Sequence, residues 1–191
     1  MTNVAPAPVR TMEKLGLISR VAERFGSSGR LGKKAVQKIF HILDEGLGVN
    51  TGYTFTIYTY GAFSRDLAGD LDIASAVGGV DITYVDYDNR YIVKAGSSCE
   101  AVKYKANAYL DSVESGLDSF ASLFDSSNVN HLELLSTMVF LHKRRSPNEA
   151  DDSLVEKLIS LKPKYRRDEA ERCLTEEVKP LLQRISAPSI E

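Results

Sequence analysis

The stretch YTFTIYTYGAFSRDLAGDLDIA, Tyr53 to Ala74, constrains this chain most, because its side-chain period changes from two to about 3.6 across Gly61. Tyr53 to Tyr60 alternates threonines with aromatic and β-branched residues, a composition that suits a pleated surface and reads as a strand. Beyond the glycine, Ser64 stands at an N-cap position ahead of Leu67, Leu71, Ala74 and Val77 on one face, and Gly78-Gly79 ends the run. A strand that gives way to a helix at one glycine calls for a mixed architecture.

The flanking segments say which mixture. Leu15, Ile18, Val21, Ala22 and Phe25 recur at helical spacing until GSSG stops them, predicting a first helix over 11–25. Val36, Ile39, Phe40, Leu43 and Leu47 predict a second from Lys33, weakened at Gly46 and Gly48. After the third helix, VDITYV and RYIV are period-two runs joined by DYDN, whose Asp and Asn residues tolerate tight turns, so Val80 to Val93 reads as a hairpin. Three helices, a strand after the second and a terminal hairpin form a winged-helix order. In it, Tyr53 to Tyr60 is expected to pair with the hairpin, and Leu67, Leu71 and Val77 to pack on the first two helices.

From Ala101 the pattern becomes helical. Val102, Ala106, Leu110, Val113, Leu117, Phe120 and Phe124 predict one long helix with Gly116 a weak point, and HLELLSTMVFLH, apolar on most sides, predicts a central buried one. The polar stretch KRRSPNEADD leads to the short helix SLVEKLISL, closed by Pro163. Leu174, Val178, Leu181 and Ile185 predict a last helix that Pro180 kinks or restarts. The expected fold is α+β and mostly helical: a flexible tail over 1–10, a winged-helix-like core over 11–98, and a C-terminal helical extension over 99–191 packed on that core.

With 43% hydrophobic and 26% charged residues among 191, the chain sits in the globular range. A net charge of −2 removes the global basic signature of proteins whose affinity comes from phosphate contacts, so any nucleic-acid binding must be local. Cys99 and Cys173 are far apart, without a CxxC or metal-ligand spacing, which argues against a metal site or a disulfide framework and for a reducing cytoplasm. MTNVAPAPVR lacks a basic region followed by an apolar run, and no segment reaches the roughly 18 apolar residues of a membrane span.

Motifs of catalysis do not emerge. In GSSGRLGKK, Gly26 and Gly32 are one residue too far apart for a phosphate loop, Lys34 replaces the magnesium-binding hydroxyl, and a helix precedes the loop where a strand should. His131 and His142 flank one apolar helix about 16 Å apart along its axis, too far to share a metal. No GxSxG occurs, neither cysteine has a nearby histidine, and Asp151-Asp152 and Glu176-Glu177 read as solvated helix starts and faces. The expectation is a non-enzyme without a cofactor; an enzyme would need a site assembled from distant residues.

Charge distribution says more. From Arg10 to Lys38 eight basic residues face two acidic ones, whereas from Gly61 to Arg90 six aspartates face two arginines. Either these are solvated faces, with second-helix lysines bridging third-helix aspartates, or the split suits a charged protein partner or a second copy of this chain. Tyr58, Tyr60 and Phe63 crowd around Gly61 beside Arg65, a composition shared by interface anchors and by cores.

Three segments, GRLGKKAVQKIFHIL (Gly29 to Leu43), YTFTIYTYGAFSRDLAGDLDIASAVGGV (Tyr53 to Val80) and LISLKPKYRRDEAE (Leu158 to Glu171), resemble the YwgA-like and Panacea (SocA-antitoxin-like) group of small prokaryotic proteins. The best-matched residues are Lys33, Lys34, Gln37 and Lys38, then Tyr58, Tyr60, Gly61, Ser64, Leu67, Asp70 and Leu71, while Ala62 stands where that group commonly has proline. The resemblance implies a winged-helix-like core with added helices that acts by protein association, in the Panacea case as an antitoxin holding a toxin. Lys33, Lys34, Tyr58, Tyr60, Phe63 and Arg65 are then the candidate partner-binding residues. The alternative is a DNA-binding regulator using Lys33, Lys34, Ser64, Arg65 and Arg90. Its third helix, however, offers Arg65 against Asp66, Asp70 and Asp72, and its wing Arg90 against Asp86 and Asp88, so duplex binding by that helix is not expected.

Overall fold

The computed structural model describes residues 7–58, 61–86 and 89–186, the side chains of 185 and 186 excepted; Tyr60, Asp88, the middle of DYDN and the Ile185 side chain lie outside the described residues. The chain is mostly helical with two small antiparallel hairpins. α1 (Thr11–Gly26) starts where the Glu13 carboxylate accepts from the Arg10 backbone N–H at 2.7 Å, and it buries Leu15, Leu17, Ile18, Val21, Ala22 and Phe25. α2 (Lys33–His41) continues into a π-helical turn, Ile42–Gly46, and Ala35, Val36, Ile39, Phe40, Ile42 and Leu43 are sealed from water.

The segment around Gly61 departs from expectation. β1 is only Thr56–Tyr58, and it pairs with β2 (Gly61–Phe63) rather than with the later hairpin; Thr56 lies opposite Phe63 and Tyr58 opposite Gly61. Tyr53 and Phe55 turn into the core, which leaves three residues free to pair, and Gly61 takes a left-handed φ of +86°, letting the chain fold back on itself. α3 (Arg65–Ala76) then begins at Ser64, whose hydroxyl accepts from the Leu67 N–H at 3.3 Å. Leu67, Leu71 and Ala74 face inward as expected, but Val77 does not: the helix ends before it and Val77 is about half exposed.

β3 (Val80–Val85) and β4 (Arg90–Ala95) form the hairpin, with Tyr84 opposite Tyr91. Its outer neighbour is the loop before α2, where the Leu31 carbonyl accepts from the Val93 N–H at 2.8 Å, so this loop takes the place expected for Tyr53 to Tyr60.

The expected long helix is two, α4 (Cys99–Tyr104) and α5 (Asn107–Leu123). The corner residue Ala106 leaves helical geometry and presses its methyl against Gly16 of α1, where any side chain would overlap it. Gly116 is no weak point: α5 runs through it, and the missing side chain admits Val49. α6 (Val129–Lys143) is the central buried helix, with every residue from Leu132 to Val139 buried. α7 (Asp151–Leu161), α8 (Arg167–Arg172), a π-helical turn (Cys173–Val178) and α9 (Lys179–Ser186) complete the chain. The π turn ends two residues before Pro180, whose missing amide donor the helix would otherwise need.

α1 packs against α3, α4 and both hairpin strands, and α2 against α6. One hydrophobic cluster runs from Leu15 to Leu182 and draws on both halves of the chain. Among the described residues no helix is long and apolar enough to cross a membrane. Of the expected tail, residues 7–10 lie along the loop after α2: the Ala7 carbonyl accepts from the Asn50 amide at 3.2 Å, and Gly52 makes room for Val9.

Candidate functional site

A cleft of about 490 Å³ opens between the first turns of α2, the β1–β2 hairpin and α3. Lys33, Lys34, Tyr58 and Phe63, singled out from separate parts of the sequence, all line it, together with Gln37, Lys38 and Leu71. Its size falls within the roughly 300–1,000 Å³ of small-molecule sites, and its lining is mostly carbon. Tyr58 and Phe63 meet edge to face, with ring centroids 5.6 Å apart, and Tyr58 is 57% exposed, an amphipathic ring at the rim.

Two α2 side chains hold this edge together. The Gln37 amide donates to the Ser64 carbonyl at 3.0 Å and accepts from the Ser64 N–H at 2.8 Å, a two-way clamp that fixes the start of α3 to α2. Lys38 is 3% exposed, and its ammonium donates to the Ala62 carbonyl at 2.6 Å. Burial pulls its pKa down to about 8 against the upward pull of Glu133. Gly61 keeps the space clear: a side chain there would crowd Thr137 and the Lys38 amine. Lys33 pairs with Asp72 at 2.9 Å and lies over the Tyr91 ring at 4.9 Å, so the bridge between helix-two lysines and helix-three aspartates does form. Asp70 accepts from the Tyr53 hydroxyl at 3.0 Å.

Other nominated residues lie elsewhere. Arg65 is exposed on α3 and does not line the cleft. Ser64, offered as a nucleic-acid contact, is buried and its hydroxyl is spent as an N-cap, which corrects that assignment. Arg90 borders a second groove of about 320 Å³ on the other side of Lys33 and Lys34, with Arg30 and Tyr91.

Burial of Lys38 escaped the sequence reading. No local pattern marks it, because Lys38 follows Lys33 and Lys34 in a basic stretch and the burial of every residue from 35 to 41 comes from packing against the rest of the chain. His41 on the same helix has Ser136 Oγ 3.1 Å from Nδ1 and Glu45 Oε2 3.4 Å from Nε2, the latter without hydrogen-bond geometry. Ser, His and a carboxylate have the composition of a nucleophile–base–orienter set, but Ser136 and His41 have no exposed surface, and Phe55 and Phe140 pack on the imidazole. Burial pushes the His41 pKa down against the pull of Glu45, whose carboxylate Arg144 holds by two 2.7 Å hydrogen bonds. His131 pairs with Glu177 at 2.8 Å. Glu23, Cys99 and Glu100 come within metal-ligand distance of one another, yet the Lys103 ammonium sits 2.5 Å from one carboxylate and 2.7 Å from the other and already supplies the cation.

No protein-family model matches this sequence, and no curated protein matches it.

Proposed function

We propose that this chain is a non-enzymatic interaction protein with a winged-helix-like core. It holds a protein partner in a regulatory or antitoxin-like role, as its resemblance to the YwgA-like and Panacea group implies. The single observation behind this reading is the convergence of Lys33, Lys34, Tyr58 and Phe63 on one apolar cleft with a cationic rim. Interfaces are built in this way, from aromatic anchors inside and charges outside that steer the partner. Arg65, exposed at the N-terminus of α3, extends that rim in this reading.

A second reading rests on the other groove, where Arg30, Lys33, Lys34 and Arg90 share one opening that suits a nucleic-acid backbone. Exposed Asp66 and Asp72 on α3 oppose it. The deciding experiment purifies the chain with its partner from the native host, reconstitutes the pair from pure components, and repeats this with Lys33→Glu/Lys34→Glu and Arg65→Glu. Loss of the complex with an unchanged melting temperature is the expected result. Salt-sensitive, sequence-selective duplex binding that vanishes in the same variants would replace the partner reading with the DNA reading.

A further inference from the structure

Lys38 is the one lysine that both lines the cleft and is closed off from bulk water. An ammonium has three N–H donors, and here one of them meets the Ala62 carbonyl. Among the described residues no carboxylate lies within ion-pair distance of it. The nearest candidates are engaged elsewhere: Glu133 gives one oxygen to Lys162 at 2.7 Å and the other to Lys164 at 2.9 Å, and Asp72 at the cleft edge pairs with Lys33. A buried charge without a counter-ion is costly, and the Lys38 side chain forms part of the cleft lining.

The rest of the lining decides what form the missing anion takes. Tyr58 and Phe63 supply ring faces and edges, and Ala68 and Leu71 supply methyl groups. A phosphate would need several donors at the floor, whereas one ammonium suits one carboxylate. A flat apolar body fits between aromatic and aliphatic walls better than a sugar or a polyamine would.

We propose that the floor of this cleft binds a small monocarboxylate with a flat apolar body, its carboxylate paired with Lys38 Nζ and its body against Tyr58, Phe63 and Leu71. This site goes beyond the partner reading by adding Lys38 and Leu71, and because it shares Tyr58 and Phe63 with that reading, occupancy would alter the surface offered to the partner.

The test is titration of the full chain, labelled at alanine and leucine methyl groups, with 2-naphthoate and separately with its neutral isostere 2-naphthamide. The expected result is saturable shifts at the Ala68 and Leu71 methyls, with naphthoate binding roughly tenfold or more tighter than the amide, the ratio a charge-assisted hydrogen bond supplies. Lys38→Met should abolish that ratio. Because the acid–amide comparison is made on the natural sequence, misfolding of the variant would not spoil it. Equal binding of the two compounds, shifts confined to other parts of the chain, or no binding to millimolar concentration would overturn the proposal. Naphthoate binding by a chain that captures no protein would keep this site and sink the partner reading.

Discussion

Lys38 and His41 stand one turn apart on α2, both buried and both with a pKa lowered by desolvation, yet they sit in opposite surroundings. Lys38 borders a cleft and has donors to spare, while His41 is packed between Phe55 and Phe140 with Ser136 at one ring nitrogen. The first turns of α2 make an opening with the β1–β2 hairpin and α3, and its later turns are closed by α6. Burial and a perturbed pKa are common to both places, so neither identifies a functional group by itself; what separates them is a route from solvent.

The closed side should dominate stability. A chain ended at Ser98 would lose α6 and lay bare the faces of α1 and α2 that Leu110, Leu117, Phe120, Leu135 and Val139 help to cover. It should aggregate or show no cooperative thermal transition by circular dichroism. A soluble, cooperatively melting fragment would mean that the cleft edge stands without α6. Within the full chain, Leu135→Ala beneath α2 should cost about 2–5 kcal/mol in urea denaturation, the range for a fully buried leucine. A loss under about 1 kcal/mol would show that the closed side is loosely packed.

Gly61→Ala lies on the boundary between the two surroundings. An alanine at a φ of +86° is strained, and its methyl would press on Thr137 and the Lys38 amine, so a loss of at least about 1 kcal/mol is expected from the same measurement. The pH dependence sharpens the contrast further. His41 is held neutral by burial, with Glu45, Arg144 and Lys38 the charged groups acting on it. The unfolded chain therefore takes up a proton at that residue before the folded one does. Its stability contribution is complete above the unfolded pKa of about 6.5 and falls below it by up to about 1.4 kcal/mol per pH unit. His131, raised by its hydrogen bond to Glu177, has the opposite sign: its contribution is full below about pH 6.5 and fades as pH rises through its raised pKa. His41→Gln should flatten the acid side of the stability profile, whereas His131→Gln should lower that side evenly and remove the decline that begins above about pH 6.5. An acid side unchanged in His41→Gln would show that water already reaches the imidazole. The smallest effect belongs to the open side: Tyr58→Ala at the rim should stay within about 0.5 kcal/mol of the natural chain.

Much of the framework is legible from residue order. Helical spacing in α1 and α3, the Ser64 cap, the Val80-to-Val93 hairpin and the buried run in α6 follow from local patterns, because cap geometry and amphipathic periods act over a few residues. The errors sit where a distant segment made the choice. Tyr53 to Tyr60 looked like a strand for the wing, but core positions for Tyr53 and Phe55 drew half of it inward. The helix from Ala101 looked continuous, but Gly16 on α1 let Ala106 in at a corner. Gly116 looked like a flaw, but it makes room for Val49.

The candidate site divides in the same way. Sequence alone marked out the Lys33-Lys34 pair in a basic stretch and, separately, Tyr58, Tyr60, Phe63 and Arg65 around Gly61, since composition and turn chemistry are local properties; of these, Lys33, Lys34, Tyr58 and Phe63 matter for the cleft. Only tertiary structure decided that these four share one cleft while Arg65 stands outside it and Ser64 is spent as a cap. Likewise only tertiary structure decided that Lys38, one more cation in a basic stretch, becomes a buried ammonium: its surroundings are Ala62 and Gly61 of β2 and Thr137 of α6, up to ninety-nine positions away along the chain. Desolvation depends on which atoms surround a group, and long-range packing alone supplies them.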